Sequence, residues 1–256
     1  MSIKLHQVPH FIIIGAQKGG TSSLFHYLSQ HPQLNLPKKK ELHFFDLNYK
    51  KGIDWYKSQF PQLSSDSFKT GEASPYYLFH PHVPQRIYKD FPNTKIIIML
   101  RNPIDRAYSQ YMMQKKRKFD SLPSFDEAIA AEPSRLKNET LKLLKIPYYK
   151  SINHQRLSYL ARGMYYSQIK RWLKYFPINQ FLFIKSEAFF SNSGKELQKV
   201  NDFLEIGTQI PRDLQIINKN NYPPINEKTK VFLTNYFAKE NKKLADLLGQ
   251  EFIWDT

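Results

Sequence analysis

Three groups of residues in this chain have side chains and spacings suited to transferring an anionic group. The first is Gly15-Ala16-Gln17-Lys18-Gly19-Gly20-Thr21-Ser22. Gly15 and Gly20 keep the glycine separation of a triphosphate loop of the G-x-x-x-x-G-K-[ST] type, and Ser22 fills its hydroxyl slot. Thr21, however, stands where the lysine belongs, and the cation sits inside the loop as Lys18. Loop amides and the following helix N-terminus still favour an anion. The displaced lysine argues against ordinary ATP or GTP hydrolysis. The second group is Leu100-Arg101-Asn102-Pro103 and, two turns into the next helix, Ser109. Magnesium-dependent triphosphatases carry an aspartate at the end of a core strand to help hold the metal. Arg101 occupies that place here, and a guanidinium grips phosphate bidentately without a metal. Taken alone, Arg101 equally fits a cap on the sheet and Ser109 a surface hydroxyl; beside the first loop, the phosphate reading is the stronger.

The third group is Lys39-Lys40-Glu41-Leu42-His43-Phe44-Phe45-Asp46. In an extended segment Glu41 and His43 point to one face and Leu42 and Phe44 to the other. That puts a carboxylate and an imidazole together, and a carboxylate facing an acceptor group can take its proton during transfer. Taken alone, the segment reads more simply as a solvated charged loop anchored by Phe44 and Phe45.

The elements that must position these groups alternate strand and helix. This predicts an α/β, P-loop-like three-layer fold with a central, mostly parallel sheet flanked by helices. Phe11 to Ile14 reads as a buried strand followed by a helix over about 21–30, and residues 68–71 as a short second strand. Ile96 to Leu100 is the next strand; Asn102-Pro103 opens a helix running to about Lys118. Residues 119–161 form a helical insertion near the acceptor site. Ile169, Trp172, Leu173 and Phe176 fall at helical spacing before Pro177. Phe181 to Ile184 is a strand, Leu197, Val200 and Leu204 mark a core-facing helix, and 229–248 make the last one. His80-Pro81-His82 reads as a turn rather than a metal site, and Asp105-Arg106 as a local helix pair.

With 41% apolar and 15% aromatic residues, 256 residues can build a substantial core. No linker-like change of composition divides them, so a single domain over 1–256 is expected. The absence of cysteine excludes disulfides and thiolate metal sites, and suits a reducing cytosol. No apolar run reaches the length of a membrane span and no signal-peptide pattern opens the chain, so a cytoplasmic setting is expected. The net charge of +16 fits a lysine-rich solvated surface first, a polyanionic ligand second and nucleic acid third.

Together the three segments resemble the sulfotransferases that use 3′-phosphoadenosine 5′-phosphosulfate (PAPS), in particular the bacterial and heparan-sulfate-modifying branch. Residues 15–22 are similar to that family's 5′-phosphosulfate loop, 100–109 to its 3′-phosphate motif, and 40–46 to the segment bearing the catalytic glutamate in the glucosaminyl 3-O-sulfotransferases. Arg162-Gly163-Met164-Tyr165 and Leu244 to Gly249 are similar to the family too. The resemblance implies a metal-free transfer of a sulfuryl group to a hydroxyl or amine. Lys18 would stabilise the leaving phosphate, and Gln17, Gly19, Gly20, Thr21 and Ser22 would line the donor loop. Arg101 and Ser109 would grip the 3′-phosphate. Glu41 would be the general base, with His43 its rival, because animal small-molecule sulfotransferases use histidine. His43, Asp46 and Tyr165 would meet the acceptor, and Lys219, in a loop without a clear glycine-basic signature, would close over the donor. The expected acceptor is a small bacterial metabolite, such as a product of secondary metabolism, or a glycolipid. A nucleotide or small-molecule kinase and a non-catalytic basic nucleic-acid-binding protein are the alternatives.

Overall fold

The structure is a computed structural model that describes residues 9–63, 65, 67–211, 214, 217, 222–249 and 252–254. Lys219 lies outside the described residues. In chain order the elements are β1 (Phe11–Gly15), α1 (Thr21–Leu28), α2 (Ile53–Lys57), β2 (Gly71–Ala73), α3 (Val83–Asp90), β3 (Lys95–Leu100) and α4 (Pro103–Lys116). There follow α5 (Phe125–Leu136), α6 (Glu139–Lys145), α7 (Ile152–Arg156), α8 (Tyr165–Trp172), β4 (Phe181–Lys185), α9 (Ser186–Ser191), α10 (Ser193–Leu204) and α11 (Glu227–Leu248).

The strands pair in the order β2-β1-β3-β4, and every pairing is parallel. A parallel sheet covered on both faces needs strands apolar on both sides, which is why β1 and β3 are unbroken apolar runs. Side chains alternate between the two faces. Ile12, Ile14, Ile96, Ile98 and Leu100 pack with Ile87 of α3 and with Ile169 and Trp172 of α8. Phe11, Ile13, Ile97 and Met99 pack with α1 and with Leu197, Val200 and Leu204 of α10. A third cluster ties α4, through Ile104, Ala107 and Tyr111, to Phe125 and Ile129 of α5 and to Leu233 and Phe237 of α11. The result is the expected three-layer architecture. The chain leaves β1 towards β2 and then crosses to β3 on the other side, so the carboxyl ends of β1 and β3 flank a switch point, where open parallel sheets bind ligands.

Three local expectations are corrected. The second strand lies at Gly71–Ala73 rather than 68–71, because Lys69 spends its backbone groups on Gln33 and Asn35 before the ladder with β1 begins. The helix before Pro177 stops at Trp172, and the chain continues in turns in which the Tyr175 and Phe176 amides both donate to Trp172 O; Phe176 is buried through such a turn. Asp105 and Arg106 do not pair, because adjacent residues on a helix do not face each other. Arg106 is buried and donates to Gln110 Oε1 at 2.7 Å and to the Tyr159 carbonyl.

Candidate active site

The glycine-rich loop between β1 and α1 backs directly onto β3. Ala16 N donates to Met99 O at 2.7 Å, and a side chain at Gly19 would put its Cβ 2.7 Å from that same carbonyl oxygen. Gly20 turns the chain at φ 96°, a left-handed conformation that glycine adopts without strain, and among the described residues no side chain caps α1. The first amides of the helix therefore keep their donors for a ligand. Two distant residues fasten the loop: Ser186 Oγ donates to Gly19 O at 2.7 Å, and Arg162 Nη1 to Gln17 Oε1 at 2.7 Å. Arg162 is itself buried over the Tyr76 ring, 4.8 Å from its centroid.

Lys18 occupies a left-handed conformation at φ 71°, and its carbonyl accepts from Arg101 Nη1 at 3.4 Å. Burial, then the charges of Arg101 and Arg117, lower the Lys18 pKa. None of these three cations has an acidic ion-pair partner among the described residues. Like charges gathered at a partly desolvated place repel, and a bound anion relieves that repulsion. Uncapped amides, a cradle that admits no Cβ and an unpaired cation group fit a ligand carrying phosphate. Ser109 is buried in α4. Tyr165 is 0% exposed and its hydroxyl donates to Arg101 O at 2.9 Å, so it acts on the site through the Arg101 backbone rather than through an open face of its own. Beside α1 a cleft of about 520 Å³ is lined by Ser22, His26, Lys38 and Lys40, a size in the range of small-molecule sites.

Lys40 joins that cleft to the third group. It donates to Glu41 Oε1 at 3.0 Å, His43 Nε2 meets Glu41 Oε2 at 3.2 Å, and His43 Nδ1 meets Asp46 Oδ2 at 2.7 Å. The segment is not extended, as the alternation of side chains predicts, but doubly kinked: Glu41 has φ 63° and His43 φ 51°, with Leu42 buried between them. Two left-handed residues swing the carboxylate and the imidazole into contact. Each costs of order 1 kcal/mol or more. With Lys18 they are three of the seven non-glycine residues with positive φ among the described residues.

Charge follows from these contacts. Burial alone raises the Glu41 pKa, but hydrogen bonding from His43 and the charge of Lys40 outweigh it and hold the group at about 2. Burial likewise lowers His43, but bonds to Asp46 and Glu41 raise it to about 10. His43 therefore stands as an imidazolium between two carboxylates, with both nitrogens protonated. Nitrogen NMR of the ring is expected to show a doubly protonated imidazole well above 6.5, its ordinary pKa, with the change only near 10. A ring that titrates at its ordinary value would contradict the arrangement.

The structure thus brings Gln17, Lys18, Gly19, Gly20, Thr21 and Ser22 together with Arg101, and Glu41 with His43 and Asp46. Sequence reasoning assigned no role to Arg162, Arg117, Ser186 or Lys40. Of these, Arg162 and Lys40 lie inside the family-like segments, which was the available signal.

The sequence profile of the sulfotransferase domain matches residues 8–244. Human heparan sulfate glucosamine 3-O-sulfotransferase 3B1 is 30% identical over 97% of this chain and 65% of its own length, so the chain spans just under two thirds of that relative. The membrane-associated sulfotransferase kil1 of Dictyostelium discoideum is 28% identical over 99% of this chain and 68% of its own. A crystal structure of a sulfotransferase from Alicyclobacillus acidocaldarius matches with a TM-score of 0.78 and 32% identity, covering 94% of this chain and 96% of that one.

Proposed function

Because the chain belongs to the sulfotransferase domain family, and so is a transferase of that type, we propose that it moves a sulfuryl group from PAPS to a hydroxyl or amine of a carbohydrate or small-molecule acceptor. The donor supplies the sulfuryl group and leaves as 3′-phosphoadenosine 5′-phosphate. Lys18 and the uncapped amides of α1 hold the 5′-phosphate and take up the negative charge that grows there as the bond to sulfur breaks. Arg101 and Ser109 hold the 3′-phosphate, and Arg117 adds to the positive field. Glu41 accepts the acceptor's proton as the new bond to sulfur forms.

The observation that carries the reading is the cation group of Lys18, Arg101 and Arg117 at an uncapped helix N-terminus. The choice of Glu41 over His43 rests on charge. An imidazolium with both nitrogens protonated has no lone pair for a proton, whereas Glu41 is ionised and its side chain is 42% exposed. Once an acceptor hydroxyl displaces Lys40 or His43 from one carboxylate oxygen, the basicity of Glu41 rises towards the ordinary carboxylate range. His43 and Asp46 orient it. The lysines and histidine of the cleft beside α1 suit an acceptor carrying negative charge. Calorimetry with 3′-phosphoadenosine 5′-phosphate is expected to show binding. A folded sample that binds none at millimolar ligand would overturn the proposal.

A further inference from the structure

A buried carboxylate lies directly behind the kinked segment. Glu72, in the middle of β2, is 1% exposed and meets no cation within ion-pair distance among the described residues. It accepts three hydroxyls: Tyr56 at 2.9 Å and Tyr77 at 3.0 Å on Oε1, and Ser74 at 2.7 Å on Oε2. Two of these hydroxyls accept in turn from the segment between Glu41 and Asp46. Ser74 Oγ takes the His43 amide at 3.3 Å, and the Tyr77 hydroxyl takes the amides of Phe44 at 2.9 Å and Phe45 at 3.3 Å.

Direction matters here. A hydroxyl has one proton; when it is given to Glu72, the lone pairs of Ser74 and Tyr77 are left to face the three amides. Helical bonding satisfies none of them, and a buried N–H without a partner costs about 1–3 kcal/mol. Below them Phe44 stacks on Tyr56 with centroids 4.7 Å apart, so the rings fix the depth of the segment while the hydroxyls fix its rotation. We propose that Glu72 is a positioning residue for proton transfer: by setting the direction of the Ser74 and Tyr77 hydroxyl protons, it holds the amides of residues 43–45 and so keeps Glu41 and His43 in their left-handed turns. The catalytic part of this inference rests on the sulfotransferase reading; the structural part does not.

The groups facing Glu72 are Tyr56 from α2, Ser74 and Tyr77 after β2, and Asp46 from the turn at Phe44–Asn48. Burial raises its pKa, the three hydroxyls lower it, Asp46 raises it again, and the balance stands at about 7. A protonated Glu72 must donate a proton of its own, which reverses the proton of the hydroxyl that receives it; Tyr77, whose two lone pairs already face two amides, then loses one of them. As pH falls through about 7, kcat of the wild type is therefore expected to fall with it.

The test compares the full chain with Glu72→Gln, Tyr77→Phe and Ser74→Ala. Glu72→Gln keeps the shape but turns acceptor into donor at one end. It is expected to speed amide exchange at residues 43–45 by at least about tenfold in a folded protein. It is also expected to lower kcat about 10- to 100-fold, the scale on which a displaced catalytic group costs rate. The donor KM should stay within about twofold, and the acidic limb near 7 should vanish. Unchanged exchange, kcat and limb in Glu72→Gln would overturn the proposal. Should that variant not fold, Tyr77→Phe and Ser74→Ala decide it by the same split: a fall in kcat at constant donor KM supports it, and an unchanged kcat or a matching rise in KM overturns it. If the wild type bound no 3′-phosphoadenosine 5′-phosphate, the functional reading would fail while the exchange measurement still decided the role of Glu72.

Discussion

Lys18→Ala is expected to lower kcat by about 10²- to 10³-fold, the loss that follows removal of one preorganised charge or donor at a developing oxyanion. It should also weaken binding of 3′-phosphoadenosine 5′-phosphate, because in the proposed mechanism Lys18 holds the 5′-phosphate before and after transfer as well as during it. The wild-type Lys18 is partly desolvated, repelled by Arg101 and Arg117, and held with a positive φ in a loop fastened on both sides. Its backbone is therefore preset for binding, and its charge acts in a medium less screening than water. Removing it relieves the repulsion, so the alanine variant should fold at least as well as the wild type while losing turnover. Calorimetry and single-turnover rates separate the two effects. A variant with normal kcat would remove Lys18 from the mechanism.

Glu41→Gln has the opposite signature. It is expected to cost about 10²- to 10⁴-fold in kcat, the range for general-base catalysis. Binding of 3′-phosphoadenosine 5′-phosphate should remain near normal, because Glu41 contacts Lys40 and His43 rather than the glycine-rich loop. The glutamine keeps an acceptor for only one of those donors, but Ser74 and Tyr77 still hold the amides of residues 43–45, so the kinked backbone should persist and the loss should report on proton transfer. With Glu41 held at about 2 in the free protein, no acid limb in the rate should come from it near neutrality. Near-normal turnover in Glu41→Gln would pass the base to His43, against its raised pKa.

Much of this was readable in the chain because it is local. The glycines from Gly15 to Gly20 announce a tight turn between β1 and α1, and an unbroken run such as Ile96 to Leu100 announces a strand covered on both faces. Arg101 was readable because a strand end followed by Asn-Pro fixes where it must sit. What stayed hidden depends on partners distant in sequence. Nothing near Tyr165 says that its hydroxyl meets Arg101, 64 residues away, and nothing near Glu72 says that its hydroxyl partners hold the amides of residues 43–45. The conformation of Glu41 and His43 was misjudged for a related reason. Alternating polar and apolar residues favour an extended segment by local rules, and the left-handed turns exist only because the network behind them makes up their cost.

The fastenings of the glycine-rich loop also bear on how the protein is made. The loop leaves the ribosome well before its fastenings: Gln17 waits for Arg162, 145 residues later, and Gly19 for Ser186, 167 residues later. Contacts of such long range are slow to form, because the closure entropy must be met before they contribute. The nascent chain therefore carries the glycine-rich sequence throughout that interval without the shape those bonds hold. A fragment ending before Ser186 would contain every residue of the loop and lack the bond that holds Gly19 in place.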